Sequence, residues 1–206
     1  PMAKLSVSLE ILEQKLSDEV RAAVAQQLGV CRRATDRLHQ TVEGILHLSR
    51  LESHAVHVEM AEVFMGEVLQ NVVTELTDLA ERKGVILKLA LPSTPLAIRG
   101  DREMLRRLFV NLIQNAIKFT QHGEVVVELQ NDAEFVRVAV KDTGVGLESG
   151  DLTKIFGRFF QKTAAIEGSG IGLTIAQKIV AFHNGVIWAE SEGIGRGTQM
   201  YVLLPQ

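Results

Sequence analysis

The chain has a single cysteine, Cys31, among its 206 residues, so it cannot form an internal disulfide and fits a reducing compartment. It has no excess of basic charge, since its formal net charge is −3, and bulk attraction to nucleic acid is therefore not expected. No apolar run approaches the roughly 20 residues that a membrane-spanning helix needs, and no signal peptide is recognisable. These absences predict a cytoplasmic globular protein, and any membrane anchor would lie outside this stretch of sequence.

One helical stretch, residues 106–120, carries polar side chains in an arrangement that is unusual for an otherwise apolar helix. At 100° per residue, Asn111, Asn115 and Lys118 fall on one narrow line. Asparagine is a poor helix former, and an ordinary solvated face would carry Glu, Lys and Arg instead. Amide oxygens suit Mg²⁺ and an ammonium suits a phosphate, so this line predicts part of a nucleotide triphosphate site. The rest of the circumference is predicted core, formed by Leu105, Leu108, Phe109, Leu112, Ile113, Ala116 and Ile117.

Two glycine-rich segments follow and would supply the phosphate-binding backbone of such a site. In the first, residues 138–147, an apolar strand runs into Asp142 and then into Gly144 and Gly146. The second, residues 168–173, reads Gly-Ser-Gly-Ile-Gly-Leu and opens a helical pattern. Glycine lets the backbone approach a phosphate, and a helix start offers unpaired N–H groups and a positive dipole. Either segment alone is weak evidence, but the three elements in this order are much stronger.

Together the segments resemble the ATP-binding domain of sensor histidine kinases, within the superfamily that includes gyrase, the Hsp90 chaperones and the MutL repair proteins. Residues 111–120 are similar to the N box, 142–146 to the G1 box, 155–160 to the F box and 168–172 to the G2 box. The resemblance covers nearly the whole chain. It implies an α+β fold in which residues 66–206 form an α/β sandwich, a mixed and mostly antiparallel sheet with helices on one face.

The resemblance also implies a role for each site residue. Asp142 would accept a hydrogen bond from the adenine amino group, which favours ATP over GTP, although an Asp before Thr-Gly is also a common turn former. Asn115 would bind Mg²⁺, Asn111 a phosphate or a metal-bound water, and Lys118 a phosphate. Arg158, in the lid between the G1 and G2 boxes, would reach the γ-phosphate. The other residues implied are Gly144, Gly146, Phe159, Gly168, Gly170, Ile171, Gly172 and Leu173, with Phe156, Phe159 and Phe160 either fastening the lid or packing as ordinary core.

Residues 1–54 predict two helices separated at Ser17-Asp18. The second helix carries a long heptad-like stripe that 54 residues cannot bury, which favours a four-helix bundle formed by two copies, with packing against residues 66–206 as the alternative. The stripe consists of Val24, Leu28, Cys31, Leu38, Val42 and Ile45.

This half resembles the dimerisation and histidine-phosphotransfer hairpin of the same kinases, whose first helix carries the motif His-Glu-x-Arg-Thr-Pro. Pro1 is similar to the last residue of that motif, which would place the phosphoaccepting histidine five positions earlier, outside this chain. His39 and His47 lie on the second helix, where the family has no acceptor, and are expected to be surface or packing residues.

The remaining elements are predicted from periodicity and turn residues. Residues 55–65 form a connector with a possible edge strand over 57–62. A helix over 65–83 ends at Gly84, and Asp101 caps the asparagine helix. The apolar stripe of the first of these helices is expected to consist of Val68, Val72, Leu76 and Leu79. Strands are expected at 85–91, 96–98, 124–129, 135–140, 186–190 and 198–204, with a hairpin turn at Asn131-Asp132. The last two strands are expected to form a closing hairpin joined through Gly193, Gly195 and Gly197.

The family's ATP-hydrolysing members place a general-base Glu four residues before the metal-binding Asn, and here that position is Asn111. An amide has no basic lone pair with which to deprotonate water. The sequence therefore favours the catalytic core of a sensor histidine kinase, which binds Mg-ATP and transfers the γ-phosphate to a histidine for relay to a response-regulator receiver domain. The alternatives are a catalytically silent, ATP-binding dimerising regulator of other kinases and, less favoured, a stand-alone ATPase.

Overall fold

The computed structural model describes residues 59–160 and 170–206, together with scattered positions between residues 8 and 46, all of which are helical. The predicted separation of two N-terminal helices at Ser17-Asp18 lies outside the described residues. None of the helices in the described part combines the length and apolarity that a membrane crossing requires.

Local sequence signals mark the end of the first helix of the sandwich and the start of the second. Helix α1 (Met65–Lys83) ends at Gly84, which has φ 70° and donates its N–H to the carbonyls of Ala80 and Glu81. Helix α2 (Arg102–Phe119) starts after Asp101, whose side chain accepts hydrogen bonds from the N–H groups of Glu103 and Met104. All seven residues predicted as the apolar core of α2 are buried.

A mixed five-stranded sheet forms the second layer. Its strands, in chain order, are β2 (Val85–Ala90), β4 (Gly123–Asp132), β5 (Phe135–Asp142), β6 (Val186–Glu190) and β7 (Thr198–Pro205). The spatial order is β2-β4-β5-β7-β6, with β2 and β4 parallel and the other pairs antiparallel. The mixed, mostly antiparallel sheet is therefore as predicted.

One face of this sheet is apolar and packs on the core, whereas the other face mixes charged side chains with apolar and aromatic ones such as Trp188 and Tyr201. On the central strands, alternate side chains of β4, β5 and β7, such as Val127, Val138 and Val202, are fully buried. They share one core with α1, α2 and a third helix, α3 (Gly172–Phe182). On the opposite face, Lys141 pairs with Glu128 at 2.8 Å.

Two further strands form a separate ribbon. Strand β1 (Ala61–Phe64) pairs antiparallel with β3 (Ala97–Gly100), and neither joins the large sheet. The connector strand therefore lies later than the predicted span of 57–62. One more backbone hydrogen bond extends this ribbon, from the N–H of Met65, the first residue of α1, to the carbonyl of Leu96, the residue before β3, at 2.9 Å.

Two local predictions are wrong in detail. The β4–β5 turn falls at Ala133-Glu134, because Asn131 and Asp132 pair with Val136 and Phe135 as part of the strands. Leu79, predicted to lie on the apolar stripe of α1, is 38% exposed, and the buried position one residue later is Ala80.

Candidate functional site

The asparagine line of α2 is half-buried, in contrast to the fully buried core residues around it. The amide nitrogen Nδ2 of Asn111 is buried and has no hydrogen-bond partner among the described residues. A buried amide without a partner costs about 1–3 kcal/mol, so such groups call for a functional explanation. Within the same described residues the Asn115 amide, which is half-buried, also makes no hydrogen bond. The two amides are therefore available to a ligand.

The start of α3 lies against this line. The helix begins at Gly172 after Ile171, and no side chain caps its first turn. A Cβ atom added at Gly172 would stand 3.6 Å from the Asn111 side-chain oxygen Oδ1. The N box and the G2 box, separated in sequence, thus meet at a helix start whose free N–H groups and dipole favour an anion.

Asp142 ends strand β5, and its two carboxylate oxygens have different environments. Oδ1 accepts hydrogen bonds from the N–H of Gly144 at 2.8 Å and from the N–H of Thr198 at 3.2 Å. Oδ2 makes no hydrogen bond within residues 59–160 and 170–206. Burial raises the pKa of Asp142, while the two backbone hydrogen bonds act in the opposite direction. The residue is a turn former through one oxygen and leaves the other as an acceptor.

The G1 turn that follows docks on the end of α2. The N–H of Val145 donates to the carbonyl of Phe119 at 3.1 Å. A Cβ added at Gly144 would come within 2.4 Å of that same carbonyl oxygen, so only glycine fits there. The carboxylate of Asp142 and the side chain of Lys118 are consequently carried by two segments that touch.

A second glycine loop, residues 191–197 between β6 and β7, supports the G1 turn from the other side, and sequence reasoning treated it only as a hairpin connection. The hydroxyl of Ser191 accepts the N–H of Leu147 at 3.0 Å and donates to the carbonyl of Gly197 at 2.7 Å. Gly146 has φ 67°, and a Cβ there would lie 2.1 Å from the Gly193 carbonyl oxygen. The signal that could have found this support is the spacing of Gly193, Gly195 and Gly197 directly before Thr198.

The F box packs on the beginning of α3. The hydroxyl of Thr174 donates to the carbonyl of Phe156 at 2.9 Å, and the N–H of Phe159 donates to the carbonyl of Gly170 at 2.9 Å. Phe156 is buried and Phe160 packs on the core, whereas Phe159 is 58% exposed and has φ 62°. The first two are therefore core residues, and only Phe159 presents its ring to solvent.

The structure thus brings the N, G1, F and G2 boxes into one region. Ile171 is buried, Leu173 is half-buried and Arg158 is exposed on the F box. Lys118 places its ammonium 5.0 Å from the centre of the Phe119 ring. Gly168 and the last part of the predicted lid lie outside the described residues, in the gap at 161–169.

Comparison with known proteins shows to which family these four boxes belong. Residues 100–206 match the family described as histidine kinase-, DNA gyrase B-, and HSP90-like ATPase. Sensor histidine kinase RcsC of Escherichia coli is 30% identical over 210 residues, which cover 100% of this chain and 22% of RcsC. Adaptive-response sensory kinase SasA of Crocosphaera subtropica is 30% identical over 213 residues, which cover 100% of this chain and 56% of SasA.

Among solved structures, full-length ShkA in complex with AMPPNP superposes with a TM-score of 0.81 at 29% identity, covering 100% of this chain and 43% of ShkA. The chain therefore spans about a fifth of RcsC and just over half of SasA. Since the family match includes α2, the G1 turn and α3, it rests on the segments that build the site. The chain belongs to the family of histidine kinase-, DNA gyrase B- and HSP90-like ATPases, and its relatives are sensor histidine kinases.

Proposed function

We propose that this chain is the ATP-binding and catalytic part of a sensor histidine kinase, which transfers the γ-phosphate of ATP to a histidine for relay to a response-regulator aspartate. The observation that carries the proposal is the juxtaposition of Asn111 with the uncapped start of α3. The Nδ2 of this amide is buried and unpaired among the described residues. Its Oδ1 lies 3.6 Å from the position that a Cβ on Gly172 would occupy, at the start of a helix with no side-chain cap. A triphosphate supplies the acceptor oxygens that both groups lack.

The adenine end of the nucleotide is assigned to Asp142. Its free Oδ2 accepts the N–H of an adenine amino group, while Oδ1 keeps the turn in place through Gly144 and Thr198. Guanine presents a carbonyl oxygen at that position, which would face the carboxylate as a second acceptor. Support for an adenine nucleotide also comes from ShkA, whose structure contains the ATP analogue AMPPNP.

The donor set suits Mg²⁺ held together with the nucleotide. Asn115 offers an amide oxygen that no described group uses, and the described residues contain no group of three His, Cys, Asp or Glu able to hold a metal. Mg²⁺ commonly takes one or two protein oxygens and completes its shell with substrate phosphates and water. When bound, the ion would neutralise phosphate charge, with Asn115 as its protein ligand.

Transfer to a protein nucleophile is favoured over hydrolysis by the chemistry of Asn111. An amide at this position hydrogen-bonds and orients, but it does not accept a proton from water near neutral pH. Phosphoryl transfer needs mainly positioning and charge neutralisation, which Asn111, Lys118 and the start of α3 provide, with Arg158 assigned to the γ-phosphate. An acceptor imidazole is itself the nucleophile and needs no protein base.

Homodimerisation through residues 1–54 is part of the same proposal. In the single chain, Leu38 is 58% exposed and Val42 is 42% exposed, although both lie on the predicted apolar stripe. Exposed apolar side chains that recur at helical spacing are typical of a surface that packs against another helix. A second copy covers such a stripe as a four-helix bundle, and the receiver domain of a response regulator is the assigned partner in relay.

The experiment that tests nucleotide binding is a calorimetric titration of ATP with and without Mg²⁺. The wild-type chain should bind ATP more tightly with Mg²⁺, and Asn115→Ala should lose that difference while keeping its thermal unfolding temperature. Gln114→Ala, a change on the exposed neighbouring position of α2, is the matched control. Equal affinity with and without Mg²⁺ in wild type and Asn115→Ala would refute the metal assignment, and no ATP binding at all would refute the proposed function.

A further inference from the structure

Helix α2 ends with carbonyl groups that the helix itself does not satisfy, and the groups that satisfy them come from two other segments. The N–H of Thr120 donates to the carbonyl of Ala116 at 3.1 Å, which is the last hydrogen bond of the helix ladder. The later carbonyls of Ile117, Lys118 and Phe119 need other donors. Phe119 receives the N–H of Val145 from the G1 turn.

The other two carbonyls are bound by the side chain of Lys83. From the last turn of α1, its ammonium Nζ donates to the carbonyl of Ile117 at 2.6 Å and, by a second short hydrogen bond, to the carbonyl of Lys118. A cation at a helix C-terminus is favoured by the helix dipole, and charged hydrogen bonds are stronger than neutral ones. Burial lowers the pKa of Lys83, as expected for an ammonium partly withdrawn from water.

The residue that Lys83 holds by its backbone is the one assigned to the phosphates. Lys118 lies on the final turn of α2, and the orientation of its side chain depends on that turn remaining helical. On the proposed function, a frayed turn would have to be ordered when ATP binds, and that ordering subtracts from affinity. Lys83 belongs to none of the four boxes, since it precedes the N box in the chain by two strands and the loops around them.

We propose that Lys83 is a positioning residue of the nucleotide site: it anchors the last turn of α2 so that Lys118 faces the phosphates. This inference rests on the proposed function. It predicts that Lys83 contributes to binding of the phosphates and not of the adenosine, and that it acts through Lys118.

The test is a set of binding titrations with ATP and with adenosine. Lys83→Met, which keeps the length of the side chain but removes the ammonium, should weaken ATP by about tenfold, the value of one charged hydrogen bond. Adenosine should be affected much less. Lys83→Arg retains the charge and N–H donors and should recover most of the ATP affinity. Arg82→Met is the matched control, because it removes the same charge at the same helix end. Among the described residues the Arg82 side chain donates only to the backbone carbonyl of Asp78 in its own helix.

A double-mutant cycle then separates positioning from general stabilisation. In a Lys83→Met background, Lys118→Met should weaken ATP by a smaller factor than it does in the wild type. A partly unfolded Lys83→Met protein would instead lose ATP and adenosine affinity by the same factor, and Lys83→Gln, which keeps an uncharged donor, serves if Lys83→Met does not fold.

The inference is overturned if Lys83→Met binds ATP as tightly as Arg82→Met does, or if ATP and adenosine weaken equally in a Lys83 variant that unfolds at the wild-type temperature. It is also overturned if the factors by which Lys83→Met and Lys118→Met weaken ATP binding simply multiply in the double variant. A wild-type chain that binds no ATP overturns the proposed function and this inference with it. Wild-type binding with unchanged affinity in Lys83→Met overturns the inference alone.

Discussion

The change Asp142→Asn separates the structural role of this residue from its role in nucleotide recognition. An asparagine can keep its Oδ1 where the carboxylate oxygen stands, 2.8 Å from the Gly144 nitrogen and 3.2 Å from the Thr198 nitrogen, so the turn is retained. Its Nδ2 then replaces the free Oδ2 and presents N–H donors to the adenine amino group, which is itself a donor. The lost acceptor should cost about 1–3 kcal/mol, or roughly 5- to 150-fold in ATP affinity. GTP should weaken less, or gain.

Asp142→Asn should lower the affinity for ATP but should not lower the folding stability at pH 7. Burial raises the pKa of Asp142 in the folded state, so this carboxyl favours folding at pH values below its unfolded pKa, and that contribution is lost as the pH rises through its folded pKa. Burial makes the ionised form of this carboxyl costly, and replacing the carboxylate by a neutral amide removes that cost. Asp142→Asn should therefore unfold at the same temperature as wild type or a higher one at pH 7, and any gain should shrink towards pH 4.

The assay combines calorimetric titration of ATP and GTP with thermal unfolding at both pH values. Asp142→Ala, which also removes the acceptor for Gly144 and Thr198, should lose stability as well as affinity. Asp132→Asn, at an exposed position beside the β4–β5 turn, should change neither. Equal weakening of ATP and GTP by Asp142→Asn, or a clear drop in its unfolding temperature, would show that the carboxylate serves only the turn.

Two further predictions concern the rest of the chain. His183 is buried, accepts the Asp101 N–H at its Nε2 and contacts the Ile179 carbonyl through Nδ1. Because burial lowers the pKa of His183, its contribution to folding stability should be complete above about pH 6.5 and decrease below it. The urea midpoint of unfolding should therefore fall at low pH, and it should fall less in His183→Gln. Replacing Leu38 and Ile45 with Glu should convert a dimer to monomers in sedimentation, because like charges would meet in the bundle core; a wild-type chain that is already monomeric at tens of micromolar would contradict the dimer.

Much of the fold follows from local signals in the sequence. The caps at Gly84 and Asp101 were predictable because a left-handed C-cap favours glycine and an N-cap favours a short acceptor side chain. The line of Asn111, Asn115 and Lys118 was predictable because an amide pair has no place on an ordinary helix face. In each of these cases the residue type is determined by the local backbone or by the adjacent turn, so it can be interpreted without knowing the tertiary contacts.

Pairings between distant segments could not be predicted in the same way. In the β4–β5 hairpin, Gln130 pairs with Arg137, whereas a turn at Asn131-Asp132 would have set it opposite Ala133. The difference is an even number of residues, and an even shift leaves each side chain on its original face. Alternation therefore could not distinguish the two registers, and the turn residues favoured the wrong one.

The same limit applies to the support of the site. The loop containing Ser191 and Gly197 reaches the G1 turn across 44 residues of sequence, as shown by the hydrogen bond from Leu147 to Ser191. Glycine has no side chain that would indicate which segment it contacts, and a serine hydroxyl can hydrogen-bond to many kinds of group. The contact of Lys83 with the end of α2 could not be predicted from the sequence either, because a lysine in the last turn of a helix is common whether or not it contacts another helix.

The central claim is that the site transfers the γ-phosphate to histidine and does not pass it to water. The printed sequence has no histidine followed by glutamate, so this chain alone should bind ATP and take up no acid-labile phosphate. The direct measurement follows γ-labelled ATP with a form of the protein in which His-Glu-x-Arg-Thr stands directly ahead of Pro1 and completes the motif. We predict acid-labile, base-stable label on the protein, abolished when that histidine is changed to Gln, with little free phosphate. Free phosphate released without protein label would contradict the account in favour of an ATPase, and bound ATP with neither product would contradict it in favour of a silent regulator.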